Sequence, residues 1–208
     1  MKPSAFLTGL FCCLTGAGLY AQITCACTAT TEKSHQQRSH AKHVTDYSSF
    51  KKKNTPISVK YMYKWQSNYF TKTAGISTQP NSPRVSLTPE DSLYVLEGYL
   101  WMVKTEENDC DFHMEIGTKT GTGTRMIVEV PKENTTVQNK IKQRLGSLGL
   151  HIKGCHFSGD SHFKTGLAVT VTGLGFYDAS HQPNTNHGDA HTKKYSWELH
   201  PVKDIVFH

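Results

Sequence analysis

The sequence lacks the motifs that mark the common enzyme classes. It has no nucleophile elbow, phosphate-binding loop, HExxH pair or dinucleotide fingerprint, and no helix-turn-helix or RNA-recognition signature. No stretch after residue 22 is long and apolar enough to span a bilayer, which takes about 20 such residues. These absences exclude most familiar catalytic and nucleic-acid-binding families, and they predict a mature chain that is soluble.

Charge is scarce at the N-terminus, where Lys2 is the only charged residue before Glu32. Residues 5–21 are apolar or small, and the chain becomes polar at Gln22. A basic start, a short apolar run and a small residue at the cut are typical of a secretory signal peptide. We therefore predict cleavage after Ala21 and export to the periplasm, the cell surface or the medium. A retained N-terminal anchor is the alternative.

Neither sign of charge dominates the chain. Lys and Arg number 23 against 17 Asp and Glu, which gives a net charge of +6. Loss of residues 1–21 removes one Lys and leaves a net charge of +5. This mild basicity favours weak attraction to polyanions and does not require a nucleic-acid partner.

Cysteines are few, and four of the six lie beyond the signal peptide, at Cys25, Cys27, Cys110 and Cys155. An even number in an oxidising compartment favours disulfides, and four cysteines allow three pairings. We predict the pair Cys110–Cys155, because both residues fall in the folded part of the chain. A bond between Cys25 and Cys27 would be strained. Metal binding by those two with nearby histidines is the alternative.

The first part of the mature chain contains few large apolar residues. Residues 22–56 are rich in Thr, Ser, Lys, Gln and His, which predicts a disordered leader. From residue 57 to 65 apolar and polar residues alternate, which predicts a strand. The sequence thus divides into a signal peptide (1–21), a leader (22–56) and a single domain (57–208).

Alternation and helical periodicity predict six further elements in the domain. Residues 134–136 offer N-caps for a helix that Gly146 ends. Gly98 marks a bend in the first long strand, and Pro201 requires an edge or bulge in the last. The order is strands at 93–104, 111–117 and 125–130, the helix, then strands at 167–172 and 197–207. This order resembles the OB-fold, a mainly β five-stranded barrel with a helix between strands 3 and 4; the strand at 57–65 would be additional. A mixed α+β sandwich is the rival fold.

Four short motifs lie at the ends of these predicted strands. They are D-x-D-x-H from Asp109, I-V-E-V-P around Glu129, V-T-G-x-G-F-Y-D-x-x-H ending at His181, and a closing E-L-H-P-V from Glu198. Together they are similar to a group of exported or cell-surface bacterial proteins, over about residues 93–207. The resemblance implies an OB-like module and no established activity.

Carboxylates and imidazoles recur in these motifs. Alternation places Asp111 and His113 on one face of their strand, and it does the same for Glu198 and His200. Such donors suit a divalent metal, which could activate water for phosphodiester cleavage, and a metal-free site would use a histidine as general base. The candidate metal ligands are Asp111, His113 and His200. The candidate catalytic residues are His113, Glu129, Asp178, His181, Glu198 and His200. The alternative is a structural role as hydrogen-bonded or solvated polar residues.

A second candidate surface combines aromatic and basic residues. Lys60 alternates with Tyr63 and Trp65 in the predicted strand 57–65, and Arg125 could stabilise a phosphate. These four residues are the candidate ligand-binding set. The alternative is that the aromatic side chains form the core.

The loop at residues 182–194 contains His187, Asp189 and His191, which could bind a transition metal or serve only as turn residues.

The sequence as a whole favours an exported OB-like binding module for a polyanion, an oligosaccharide or a protein. The alternatives are an exported metal-dependent phosphodiesterase or nuclease and a structural envelope protein without ligand.

Overall fold

A computed structural model describes residues 39–73, 82–105, 110–123, 125–150, 152, 162–179 and 196–208. The helices are α1 (Ser39–Lys42), α2 (Val59–Asn68), α3 (Phe70–Thr73) and α4 (Thr135–Ser147), with a 3-10 turn at Pro89–Asp91. The strands are β1 (Lys51–Lys52), β2 (Ile57–Ser58), β3 (Ser92–Thr105), β4 (Phe112–Gly117), β5 (Met126–Val130), β6 (His162–Tyr177) and β7 (Trp197–Phe207). No helix among these described residues is long and apolar enough to cross a membrane.

Five strands close into a barrel. The hydrogen-bonded order is β3-β4-β5-β7-β6, and β6 returns to pair with β3. All neighbours are antiparallel except β5 and β7, which run parallel and meet at Val128 and Leu199. Helix α4 lies between the third and fourth strands of the ring in chain order. The predicted OB-like fold is therefore confirmed.

The predicted strand at 57–65 is right only for its first two residues, which form β2 beside β3. From Val59 the chain turns into helix α2, because the Ser58 side chain caps its first turn. Val59, Met62 and Trp65 recur at helical spacing and are all buried. The segment is short enough for its apolar residues to fit either the two-residue period of a strand or the 3.6-residue period of a helix. The helix is favoured because it buries Val59, Met62 and Trp65 on one face.

Residues 39–56, which the sequence assigns to the leader, carry α1 and β1. Strand β1 pairs parallel with β3, at the register Lys51 to Ser92, and Ala41 in α1 is buried. The leader upstream of residue 39 and the signal peptide lie outside the described residues.

The barrel interior is filled by alternate residues of the ring strands. Met114, Val128 and Leu199 point inward and are fully buried, and α4 adds its apolar face to the same core. Burial of this apolar area is the main stabilising contribution to the fold. The residues between these positions point to the outside of the ring, where the candidate site lies.

The register shift in β3 lies near Trp101 rather than at Gly98. The pairing of β3 with both neighbours shifts register at Trp101, between Leu100 and Met102. Gly98 instead serves close packing, because a Cβ there would lie 2.5 Å from Cγ2 of Ile116. The glycine thus marks a close approach of two strands rather than the bulge.

Candidate functional site

Alternation along β4, β5 and β7 brings the predicted site residues to the outer face of these three strands. His113 on β4 lies opposite Glu129 on β5. On β7, Glu198 and His200 flank Leu199, which points into the barrel. Each of these four residues is at least nine-tenths buried, so their charges interact strongly.

Strand β7 has a bulge at His200 and Pro201. The pairing of β6 with β7 moves from Gly173–Val202 to Gly175–Leu199, so His200 and Pro201 fall within the irregular stretch. The bulge prediction for Pro201 is therefore confirmed, although β7 is an interior strand of the barrel. Bulges commonly re-aim a side chain beside a functional site.

Glu129 is the centre of a hydrogen-bonded chain. Its Oε1 atom lies 2.9 Å from Nδ1 of His113, and its Oε2 atom lies 2.8 Å from Nδ1 of His200. The Glu198 carboxylate also lies 3.2 Å from the same His200 nitrogen. Two carboxylates therefore converge on one side of the His200 ring.

Asp111 lies on the other side of the His200 ring. Its Oδ2 atom is 3.3 Å from Nε2 of His200, and both side chains are 0% exposed. The backbone N–H of Lys132 donates to the Oδ1 atom of Asp111 at 2.9 Å and fixes the carboxylate. The His200 ring is held further by Phe176, whose ring centroid is 5.7 Å away.

The electrostatics of this cluster are strongly coupled. Burial alone lowers the pKa of His200, but the carboxylates of Asp111, Glu129 and Glu198 outweigh it and hold the pKa well above its usual value. Burial alone raises the pKa of Glu129, but His113 and His200 hold it well below the usual range. Burial and the neighbouring Glu129 carboxylate raise the pKa of Glu198 to about 7. Without a cation, these shifts favour a protonated His200 beside an ionised Glu129.

A segment from the N-terminal side contacts the cluster. The Nδ1 atom of His43 lies 2.9 Å from Oε2 of Glu133, and the His43 ring centroid is 6.2 Å from that of His200. Lys42 lies 3.9 Å from the Asp178 carboxylate and 5.5 Å from the Phe176 ring centroid. The outer face is thus partly covered by the residues around α1.

Two groups of side chains within the described part of the chain have ligand atoms close enough to hold a metal ion. The first consists of Asp111, Glu129 and His200, and the second of His43, Asp111 and Glu133. In each group the ligand atoms lie within 4.8 Å of one another. Asp111 belongs to both groups.

The structure brings most of the predicted cluster together. His113, Glu129, Glu198 and His200 are in direct contact, and Asp178 is close enough to raise the pKa of Glu198 by charge repulsion. His181, Cys155 and the loop 182–194 lie outside the described residues. The pairing of Cys110 with Cys155 therefore stays a prediction.

Sequence reasoning missed His43 and Glu133 as parts of this site. His43 lay in the segment assigned to the leader, and Glu133 precedes α4 without belonging to any motif. Nothing local in the sequence connects two residues so far apart. Only the fold brings both to Asp111.

The predicted ligand-binding set is placed differently from the expectation. Trp65 is buried in the core, with ring centroids 4.7 Å from Tyr94 and 5.7 Å from Trp197. Arg125 is also buried, where it forms a 3.0 Å ion pair with Glu115. Neither side chain is exposed for stacking or phosphate binding. The other two members of the set lie on α2, where Lys60 is exposed and Tyr63 is half-buried.

No family model and no curated protein matches the sequence. Among solved structures, the crystal structure of yeast Stn1 and Ten1 is similar over 59% of this chain and 55% of that chain. The identity is 14% and the TM-score is 0.24, and the chain spans about half the length of that structure's chain. A likeness this distant carries no argument about function, so the OB-like assignment depends on the strand order of the barrel itself.

Proposed function

We propose that this chain is an exported OB-like binding module whose ligand is a divalent metal ion, bound by Asp111 and His200. One observation carries the proposal. The Nε2 atom of His200 is fully buried, and among the described residues its close polar neighbour is Oδ2 of Asp111, 3.3 Å away, with poor hydrogen-bond geometry. Two ligand atoms about 2.0–2.1 Å from a tetrahedral metal lie about 3.3 Å apart. The pair is spaced as two ligands of one ion.

The contacts of the other ring nitrogen of His200, Nδ1, also support a metal ion at Nε2. Histidines that bind a metal through one ring nitrogen usually donate the other N–H to a carboxylate. The Nδ1 atom of His200 lies 2.8 Å from Glu129 and 3.2 Å from Glu198. These carboxylates would orient the ring and increase its basicity, and His113 in turn holds Glu129.

The donor atoms indicate the class of metal. Imidazole nitrogen with carboxylate oxygen suits Zn²⁺ and neighbouring first-row ions, whereas Ca²⁺ and Mg²⁺ favour sites made of oxygen atoms only. We therefore expect Zn²⁺ to bind more tightly than Mg²⁺. Glu129 contacts Nδ1, on the other side of the ring, and would remain an orienting residue rather than a ligand.

Binding fits the burial of the site better than catalysis does. A substrate of a metal-dependent phosphodiesterase would have to reach an ion whose two main ligands, Asp111 and His200, are 0% exposed. Burial of Trp65 and Arg125 likewise removes two of the four side chains that were predicted to contact a polyanion or oligosaccharide. A metal ion is small enough to occupy the cluster without these surfaces.

A thermal-shift titration tests the metal proposal. The purified chain is treated with chelator, and Zn²⁺ or Mg²⁺ is added back. We expect Zn²⁺ at roughly 100 times Kd to raise the Tm by about 5–10 °C. His200→Ala and Asp111→Asn should abolish the rise, whereas the control His208→Ala changes an exposed histidine and should retain it. Failure of the wild-type chain to respond would leave the cluster as a structural ion network and overturn the proposal.

A second measurement needs no substitution and covers the case in which a variant fails to fold. X-ray absorption at the zinc edge of the loaded wild-type chain should show imidazole and carboxylate scattering without sulfur. Sulfur ligands would place the ion at cysteines and would contradict the proposed site.

Export is part of the proposal and has its own test. Its support is the scarcity of charge before Glu32 and the apolar run that ends at Ala21. N-terminal sequencing of the chain recovered outside the cytoplasm should begin at Gln22. Recovery of the uncut chain in the cytoplasm would contradict export.

A further inference from the structure

We propose a second cation position beside the first, formed by His43, Glu133 and the shared Asp111, at which a divalent ion fastens the N-terminal segment to the barrel. The segment consists of residues 39–50, from α1 to the start of β1. The inference rests on the proposed function, because Asp111 would be a ligand in both positions.

The contacts place three donors at this position. His43 and Glu133 lie 2.9 Å apart through Nδ1 and Oε2, and each has a ligand atom within 4.8 Å of an Asp111 oxygen. The His43 and His200 ring centroids are 6.2 Å apart, so both imidazoles approach the same carboxylate. A carboxylate with two oxygens can bridge two ions, as in two-metal sites whose ions lie about 3.5–4 Å apart.

Exposure distinguishes the two positions. The side chains of His43 and Glu133 are 24% and 39% exposed, whereas Asp111 and His200 are 0% exposed. An ion at the outer position would therefore keep contact with solvent, and water could complete its coordination. An ion at the inner position would be enclosed by protein ligands.

The three ligands come from three separate parts of the chain. His43 follows α1, Asp111 precedes β4 and Glu133 precedes α4. The segment 39–50 also contacts the barrel directly, through a 3.9 Å ion pair of the largely buried Lys42 with Asp178 and through a 3.5 Å hydrogen bond from the Tyr47 hydroxyl to the Val202 carbonyl. An ion shared by three chain segments would hold the N-terminal segment much more firmly.

Calorimetry and amide hydrogen exchange on the full chain test this inference, with Zn²⁺ as the probe. We expect two bound ions in the wild-type chain and one in His43→Ala and in Glu133→Gln, which leave the inner ligands intact. Zn²⁺ should slow exchange of residues 39–50 about tenfold or more in the wild type and should not do so in the two variants. The matched control is His40→Ala, which removes an exposed histidine of the same segment and should behave as the wild type.

The outcomes separate the two proposals. One ion in the wild type, or the same number in His43→Ala as in the wild type, overturns the outer position and leaves the proposed function standing. If His43→Ala speeds hydrogen exchange of residues 39–50 when no Zn²⁺ is present, His43 acts through an ordinary ion pair. That result also overturns the outer position. No ion in any chain overturns the proposed function itself.

Discussion

The Nδ1 atom of His200 and the Oε2 atom of Glu129 lie 2.8 Å apart, on the two strands of the barrel that run parallel to each other. This contact joins the histidine of the closing E-L-H-P-V motif to the glutamate of the I-V-E-V-P motif. Because both side chains are buried, the pair affects stability as well as ligand binding.

Glu129→Gln should destabilise the chain strongly. The substitution removes the carboxylate that joins the buried His113 and His200, and breaking a buried ion pair costs about 3–5 kcal/mol. Glu133→Gln is the matched control, because it changes a partly exposed His–Glu pair and should cost less than about 1 kcal/mol. Urea unfolding in chelator measures both free energies, and equal costs would contradict the placement of Glu129 at the centre of the cluster.

Glu198 should make the metal-free chain less stable as the pH rises from about 4.5 to 7. Its pKa in the folded chain is raised to about 7 from an ordinary 4.5, so the folded state favours the protonated form. That contribution is complete below pH 4.5 and is lost as the pH rises through 7. The Glu129 pKa is shifted downward, so its own contribution is instead lost as the pH falls below its ordinary range.

Glu198→Gln isolates this dependence, because glutamine stays neutral. The quantity to compare is the free energy of unfolding of the wild type minus that of Glu198→Gln. This difference should fall by on the order of 1–3 kcal/mol between pH 5 and 7, because one pKa unit corresponds to about 1.36 kcal/mol. The measurement is urea unfolding in chelator across this range. A difference that stays constant would mean that Glu198 titrates normally.

Trp65→Ala should cost about 3–5 kcal/mol, because the side chain is part of the core and its loss leaves a cavity. Tyr61→Ala on the same helix should change the stability by less than about 0.5 kcal/mol, because Tyr61 is exposed. Thermal unfolding of both variants checks the correction from strand to helix. Similar costs for the two residues would contradict the orientation of α2.

Gly98→Ala should destabilise the chain by about 1–3 kcal/mol, since the new Cβ would overlap Cγ2 of Ile116. Gly146→Ala is the control at a position with open space, and alanine there should stabilise α4 by up to about 1 kcal/mol. The two substitutions should therefore shift the Tm in opposite directions. A neutral Gly98→Ala would show that β3 and β4 are not packed this closely.

Much of the barrel could be predicted from the sequence, because its strands alternate clearly. The last strand was predicted at 197–207 and is observed over the same residues, and the helix before residue 147 was also predicted. The segment after Ile57 is a helix and not the predicted strand, and the apolar Met62, which interrupts the alternation between Tyr61 and Tyr63, is the local sign of it. Only tertiary packing shows that Met62, between them, is fully buried.

The site was predictable only in part, for a different reason. Alternation predicts that Asp111 and His113 share one face of their strand and that Glu198 and His200 share one face of theirs. The four motifs also indicate that polar residues collect at the strand ends. The partners His43 and Glu133 reach Asp111 through the closure of the barrel and the return of the N-terminal segment. No pattern within a short window of sequence contains that information.

A crystal structure of the Zn²⁺-loaded chain, with anomalous diffraction at the zinc edge, shows directly whether His200 and Asp111 bind a metal ion. We predict an anomalous peak about 2.0–2.1 Å from Nε2 of His200 and from the Asp111 carboxylate, with Nδ1 of His200 still beside Glu129. Absence of a peak there, with His200 and Asp111 in direct contact, would show that the pair is an ordinary ion pair and not a metal site.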